Sequence, residues 1–62
     1  MKVYFEYRDK HGIIQGWSDD FTFTNMDNIE KRARYLLTNP AHWYICKVIL
    51  HRADDDEIIT SW

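Results

Sequence analysis

Three histidines, one cysteine, a run of acids and a cluster of bases are the residues of this chain with chemistry to offer. His11, His42 and His51 are too scattered for a compact metal-ligand motif, in which donors recur within a few residues. On a single strand, His42 and His51 would stand about 30 Å apart at ~3.3 Å per residue, so they could not share an ion. His51 is read as a pH-sensitive rim residue, because an imidazole changes charge near neutral pH. Cys46 falls between Ile45 and Lys47 in an apolar run. That context predicts a small buried hydrophobe rather than a thiolate nucleophile, which wants a basic partner and exposure.

Asp54, Asp55, Asp56 and Glu57 are read as a solvated hairpin tip. They lack the glycine and distal glutamate of a calcium-binding loop. Together with Asp19 and Asp20 they would make an acidic edge if the two loops met, too small for convincing imitation of nucleic-acid phosphate. Lys31, Arg32 and Arg34 read as a solvated helix face, partly neutralised by acids one turn earlier in Asp27–Lys31 and Glu30–Arg34. No Gly-rich phosphate loop, paired carboxylates on a known scaffold or Ser/His/Asp signature is present. The expectation is a protein that is not an enzyme, with no cofactor and no metal site; a chain this short has little room for a walled pocket.

The whole chain, 62 residues, makes one domain, 1–62. Such a chain buries only roughly 60% of the surface its unfolded form exposes. A core of this size alone rarely supplies more than about 3–5 kcal/mol of net stability. A single cysteine forbids an internal disulfide and fits a reducing compartment. With 45% hydrophobic and 16% aromatic residues, the composition supports a folded core rather than disorder. The net charge of −2 gives no field that would gather DNA or an anionic membrane. No apolar run approaches the ~20 residues of a membrane span, and MKVYFEYRD reads as a strand rather than a signal peptide. A cytoplasmic protein is expected, or one used in a host cytoplasm if virally encoded.

Four punctuation points divide the chain. Residues 2–8 alternate, with Val3, Phe5 and Tyr7 on one face and Lys2, Tyr4, Glu6 and Arg8 on the other. Asp9 to Gly12 is a hairpin loop. A second strand runs over 13–18, with Gly16 suggesting a bulge, and continues through a kink into Phe21–Phe23. Thr24 or Asn25 caps a helix whose apolar face carries Met26, Ile29, Ala33, Leu36 and Leu37. Pro40 stops it near Thr38-Asn39. Residues 42–52 read as the longest strand, with Tyr44, Cys46, Val48 and Leu50 opposite Trp43, Ile45, Lys47, Ile49 and His51. A loop at 53–56 leads to a last strand, 57–62, with Ile58 and Trp62 on one side. The expected fold is α+β, a two-layer β-β-α-β-β arrangement: a four-stranded antiparallel sheet with one helix packed on one face.

One short helix cannot cover both faces of that sheet, yet the 42–52 run projects apolar side chains to both sides. Tyr4 would join the uncovered set from the first strand, and Ile14 or Trp17 from the second, depending on register. The expectation is therefore a small non-catalytic binding module, a regulator or inhibitor of the kind phages and mobile elements encode. It would engage a protein partner, or a second copy of itself, through Tyr4, Trp43, Ile45, Lys47, Ile49 and His51. The alternative is a single-stranded nucleic-acid binder that stacks bases on sheet aromatics and contacts phosphates with Lys47, Arg34 and Arg52.

Overall fold

The computed structural model describes residues 1–62. Strand β1 (Lys2–Arg8) and strand β4 (Lys47–Arg52) form its centre. They pair antiparallel along the whole of β4, from Val3 opposite Arg52 to Arg8 opposite Lys47. Strand β2 (Ile14–Trp17) and the two-residue strand β3 (Phe21–Thr22) share the outer edge of β1. Strand β5 (Ile58–Ser61) flanks β4, giving the order β2-β1-β4-β5 with every pairing antiparallel. One helix, α1 (Met26–Thr38), packs on one face across β4. The fold is α+β, as its alternation implied, with β2 and β3 splitting the expected second strand into two short pieces.

Helix α1 starts where the sequence supplies a cap. The Asn25 carboxamide oxygen accepts from the Asn28 N–H at 3.0 Å, using one of the donors that the first turn leaves free. Its Ile29 and Ala33 are buried, while Met26, expected on the same stripe, is 39% exposed at the open first turn. At the far end the Asn39 N–H donates to the Tyr35 carbonyl, and Pro40 then forbids continuation.

Residues 42–46 are not strand. Pro40–His42 forms a 3₁₀ turn capped by the Asn39 side chain, which accepts from the Ala41 N–H at 2.9 Å. The turn continues as the Ile45 N–H donates to the His42 carbonyl. Aromatic and β-branched residues in this stretch favour strand intrinsically, but the turn and the burial of Ile45 override that preference. Ile45 packs into the core, 5% exposed, and does not lie on an outer sheet face. Cys46, expected to be buried, is exposed where the chain enters β4.

The core lies between α1 and the sheet. Val3 and Phe5 of β1, Val48 and Leu50 of β4, Ile29 and Ala33 of α1, and Ile45 form one cluster. Phe5 is its hub, with the Phe21 ring at 5.2 Å and the Trp62 ring edge-on at 6.3 Å. Each of its fully buried Val, Ile, Leu and Phe side chains contributes about 1.5–3 kcal/mol of transfer free energy.

Two register shifts decide which side chains reach the other face. Between Tyr7↔Gly16 and Arg8↔Ile14, Gln15 is an extra residue, so Ile14 and Trp17 emerge on the same side although their sequence parity differs. Between Leu50↔Thr60 and His51↔Ile58, Ile59 is the extra residue. Ile58 therefore joins the face of His51, while Trp62 packs on the core side; the two were expected together.

Candidate functional site

The sheet face turned away from α1 is the candidate site. Strand alternation delivers Tyr4, Glu6 and Arg8 from β1, and Lys47, Ile49 and His51 from β4. The bulges add Ile14 and Trp17 from one edge and Ile58 from the other. Across the strands the rows run Ile14–Arg8–Lys47, Trp17–Glu6–Ile49–Ser61 and Tyr4–His51–Ile58.

The middle of this face is closed. Glu6 is 6% exposed, His51 7% and Ile49 5%, although no helix lies over them. A hydrogen-bonded network makes that burial affordable in free energy. Arg8 Nε donates to Glu6 Oε2, and Glu6 Oε1 lies 3.1 Å from His51 Nε2. His51 Nδ1 lies 3.0 Å from the Asp56 carbonyl oxygen. A carbonyl can only accept, so Nδ1 carries the hydrogen of this bond. Both imidazole nitrogens are thus engaged within the protein, and neither is free to bind a metal or to act as an external base.

Tyr4 roofs this network. Its ring stacks on His51 at 4.9 Å and 14°, and its hydroxyl donates to Asp56 Oδ1 at 2.8 Å. That bond pushes the Tyr4 hydroxyl up to about 12, helped by partial desolvation and by the charges of Asp56, Glu6 and Asp20. The Asp19-Asp20 and Asp54–Glu57 loops therefore both bring acid to the Tyr4 end of the sheet.

The accessible apolar groups stand around this centre. Trp17 and Ile58 are each 60% exposed, at opposite edges, and Ile14 is 40% exposed. Of the residues anticipated as contacts, Tyr4, Lys47, Ile49 and His51 share the face, with Ile49 and His51 beneath its surface. Ile45 is withdrawn into the core. Trp43, 81% exposed, leaves the sheet altogether. It stands edge-on to Tyr44 at 5.9 Å and borders an open cleft of about 380 Å3 with Asp9, His11, Gln15 and Cys46. Ile58 escaped the sequence reading because a bulge leaves no trace in hydrophobic alternation.

The cations named for nucleic-acid contact do not form one track. Lys47 is on the outer face, Arg34 is paired with Glu30 at 2.9 Å on the helix, and Arg52 lies near Asp55 and Glu57. No helix is long and apolar enough to cross a membrane. No family model matches this chain, and neither a curated protein nor a solved structure matches it.

Proposed function

We propose that this chain is a protein-binding module that recognises its partner with the sheet face opposite α1. The observation that carries this reading is the exposure of Trp17 and Ile58 on a face that the single helix leaves uncovered. Aromatic and aliphatic anchors of this kind dominate interface energetics. The Arg8–Glu6–His51 network, with Glu6 and His51 buried, ties together the surface between them, which lowers the ordering cost of association. Lys47 at one margin, exposed and without a carboxylate within ion-pair distance, favours acidic groups on the partner.

Either another protein or a second copy of this chain would add burial that a 62-residue core lacks. The test uses the full chain and a Trp17→Lys/Ile58→Lys variant as baits in cell extract, with circular dichroism confirming the variant's fold. A partner held by the parent chain and lost by the variant supports the reading. Equal retention by both baits, or no partner for either, overturns it. Sedimentation across a concentration series detects a homodimer, which would replace the foreign partner with a second copy.

A further inference from the structure

On the opposite side of the sheet, α1 lies over β4 and leaves a groove beside β1. The groove measures about 370 Å3, within the range of ligand-binding clefts. Tyr7 and Leu36 form its half-buried floor above Phe5, and Lys31, Arg32 and Tyr35 form its rim. Neither Lys31 nor Arg32 has a carboxylate within ion-pair distance, although Asp27 stands one turn before Lys31. Arg32 instead lies over the Phe21 ring at 4.2 Å, which fixes the guanidinium while leaving its donors unpaired. Burial raises the Tyr7 hydroxyl against the lowering influence of Ser18 and of the Arg32 charge, so Tyr7 stays a neutral donor beside the two cations.

We infer that this groove binds an acidic peptide segment carrying an aromatic or aliphatic side chain. The apolar side chain sits on Tyr7 and Leu36, and its flanking carboxylates meet Lys31 and Arg32. A guanidinium held in place presents a planar fork that matches a carboxylate. Charge complementarity selects the occupant: two cations without carboxylate partners, Lys31 and Arg32, flank an apolar floor, which suits a short segment whose apolar side chain lies between acids. The site is separate from the outer sheet face and stands or falls independently of it.

Fluorescence anisotropy with a fluorescein-labelled Glu-Glu-Phe-Leu-Glu-Glu peptide tests the assignment. Binding should weaken as salt is raised, because exposed charge pairs are screened. Lys31→Glu/Arg32→Glu should lower the affinity by about tenfold or more, since like charges then face the peptide. Because Arg32 packs on Phe21, a Lys31→Glu/Tyr35→Ala variant, altering only exposed side chains, should weaken binding without disturbing the fold. Trp17→Lys/Ile58→Lys should bind the peptide as the parent does, which separates this site from the outer face. Undiminished binding by the charge-reversed variants, equal binding of a peptide with Lys in place of Glu, or tighter binding of labelled oligothymidylate would each overturn the inference.

Discussion

Tyr4 and Asp56 are 52 positions apart in the chain, yet the Tyr4 hydroxyl donates a 2.8 Å hydrogen bond to the Asp56 carboxylate. This bond ties the first strand to the β4–β5 turn, whose Asp56 adopts a left-handed conformation at φ 59°. It also joins the acidic turn to the network beneath the outer face, because the same Asp56 accepts from His51 through its carbonyl.

The Tyr4 contact sets an alkaline limit. Its hydroxyl is raised from 10.0 to about 12, so the contribution to stability is complete below pH 10 and is lost as pH rises through 12. Ultraviolet titration of phenolate should show one of the four tyrosines ionising near pH 12. Asp56→Asn, which tolerates the left-handed turn, should move that component back toward 10.0. Because the Asn carboxamide oxygen can still accept, an unmoved component would remove the Asp56 charge as a cause, and Asp56→Gly, which lacks any acceptor there, would test the hydrogen bond itself.

Glu6 and His51 should behave as a coupled pair. Glu6→Ala leaves His51 facing an empty buried site and should cost about 3 kcal/mol in urea unfolding. Glu6→Leu combined with His51→Phe should be more stable than either single variant, because neither buried member of the pair is then left facing the other's empty place, while Arg8 and the exposed Asp56 turn to water. Nitrogen NMR of the parent protein should find a hydrogen on Nδ1. An Nδ1 without hydrogen would contradict the bond to the Asp56 carbonyl.

Asp9 organises the first hairpin turn. Its carboxylate accepts from the His11 N–H at 2.8 Å, the Ile13 N–H at 3.1 Å and the Gln15 amide at 2.8 Å. Desolvation opposes its ionisation, but these bonds together outweigh it and bring the group below its ordinary 3.8. The turn is therefore stabilised above that value and loses this contribution as pH falls through the lowered midpoint. Carboxyl NMR should place Asp9 below 3.8, and Gln15→Ala should move it upward.

Phe5 should be the costliest single truncation. It is fully buried between the Phe21 and Trp62 rings. Phe5→Ala should lose about 3–5 kcal/mol, as much as the whole net stability of a domain this small. Far-ultraviolet circular dichroism at 25 °C should show it largely unfolded, whereas Phe5→Leu should remain folded with a loss of about 1 kcal/mol.

Alternation and capping made several features legible in the amino-acid order. Val3 and Phe5 face inward and Lys2, Tyr4, Glu6 and Arg8 face outward in β1, as period-two spacing requires. The same holds for Val48 and Leu50 against Lys47, Ile49 and His51 in β4. Asn25 and Pro40 bound a helix whose Ile29 and Ala33 meet the core. These signals are local: each depends on a residue's own geometry and on neighbours within one turn or one pleat.

Tertiary structure decided the rest. Ile45 went inward because a 3₁₀ segment over Pro40–His42 and the turn that follows it, rather than a strand, carry the chain past the core. Trp17 and Ile14 share a face, and Ile58 and Trp62 do not, because bulges insert Gln15 and Ile59 into pairings that side-chain alternation does not encode. Glu6 and His51, ordinary outward residues by spacing, are buried because strands 45 residues apart in sequence bring them within hydrogen-bond reach. A strand's own order states which side chains share a face. Which partner lies beside it, and in what register, is settled only when the whole sheet closes against its helix.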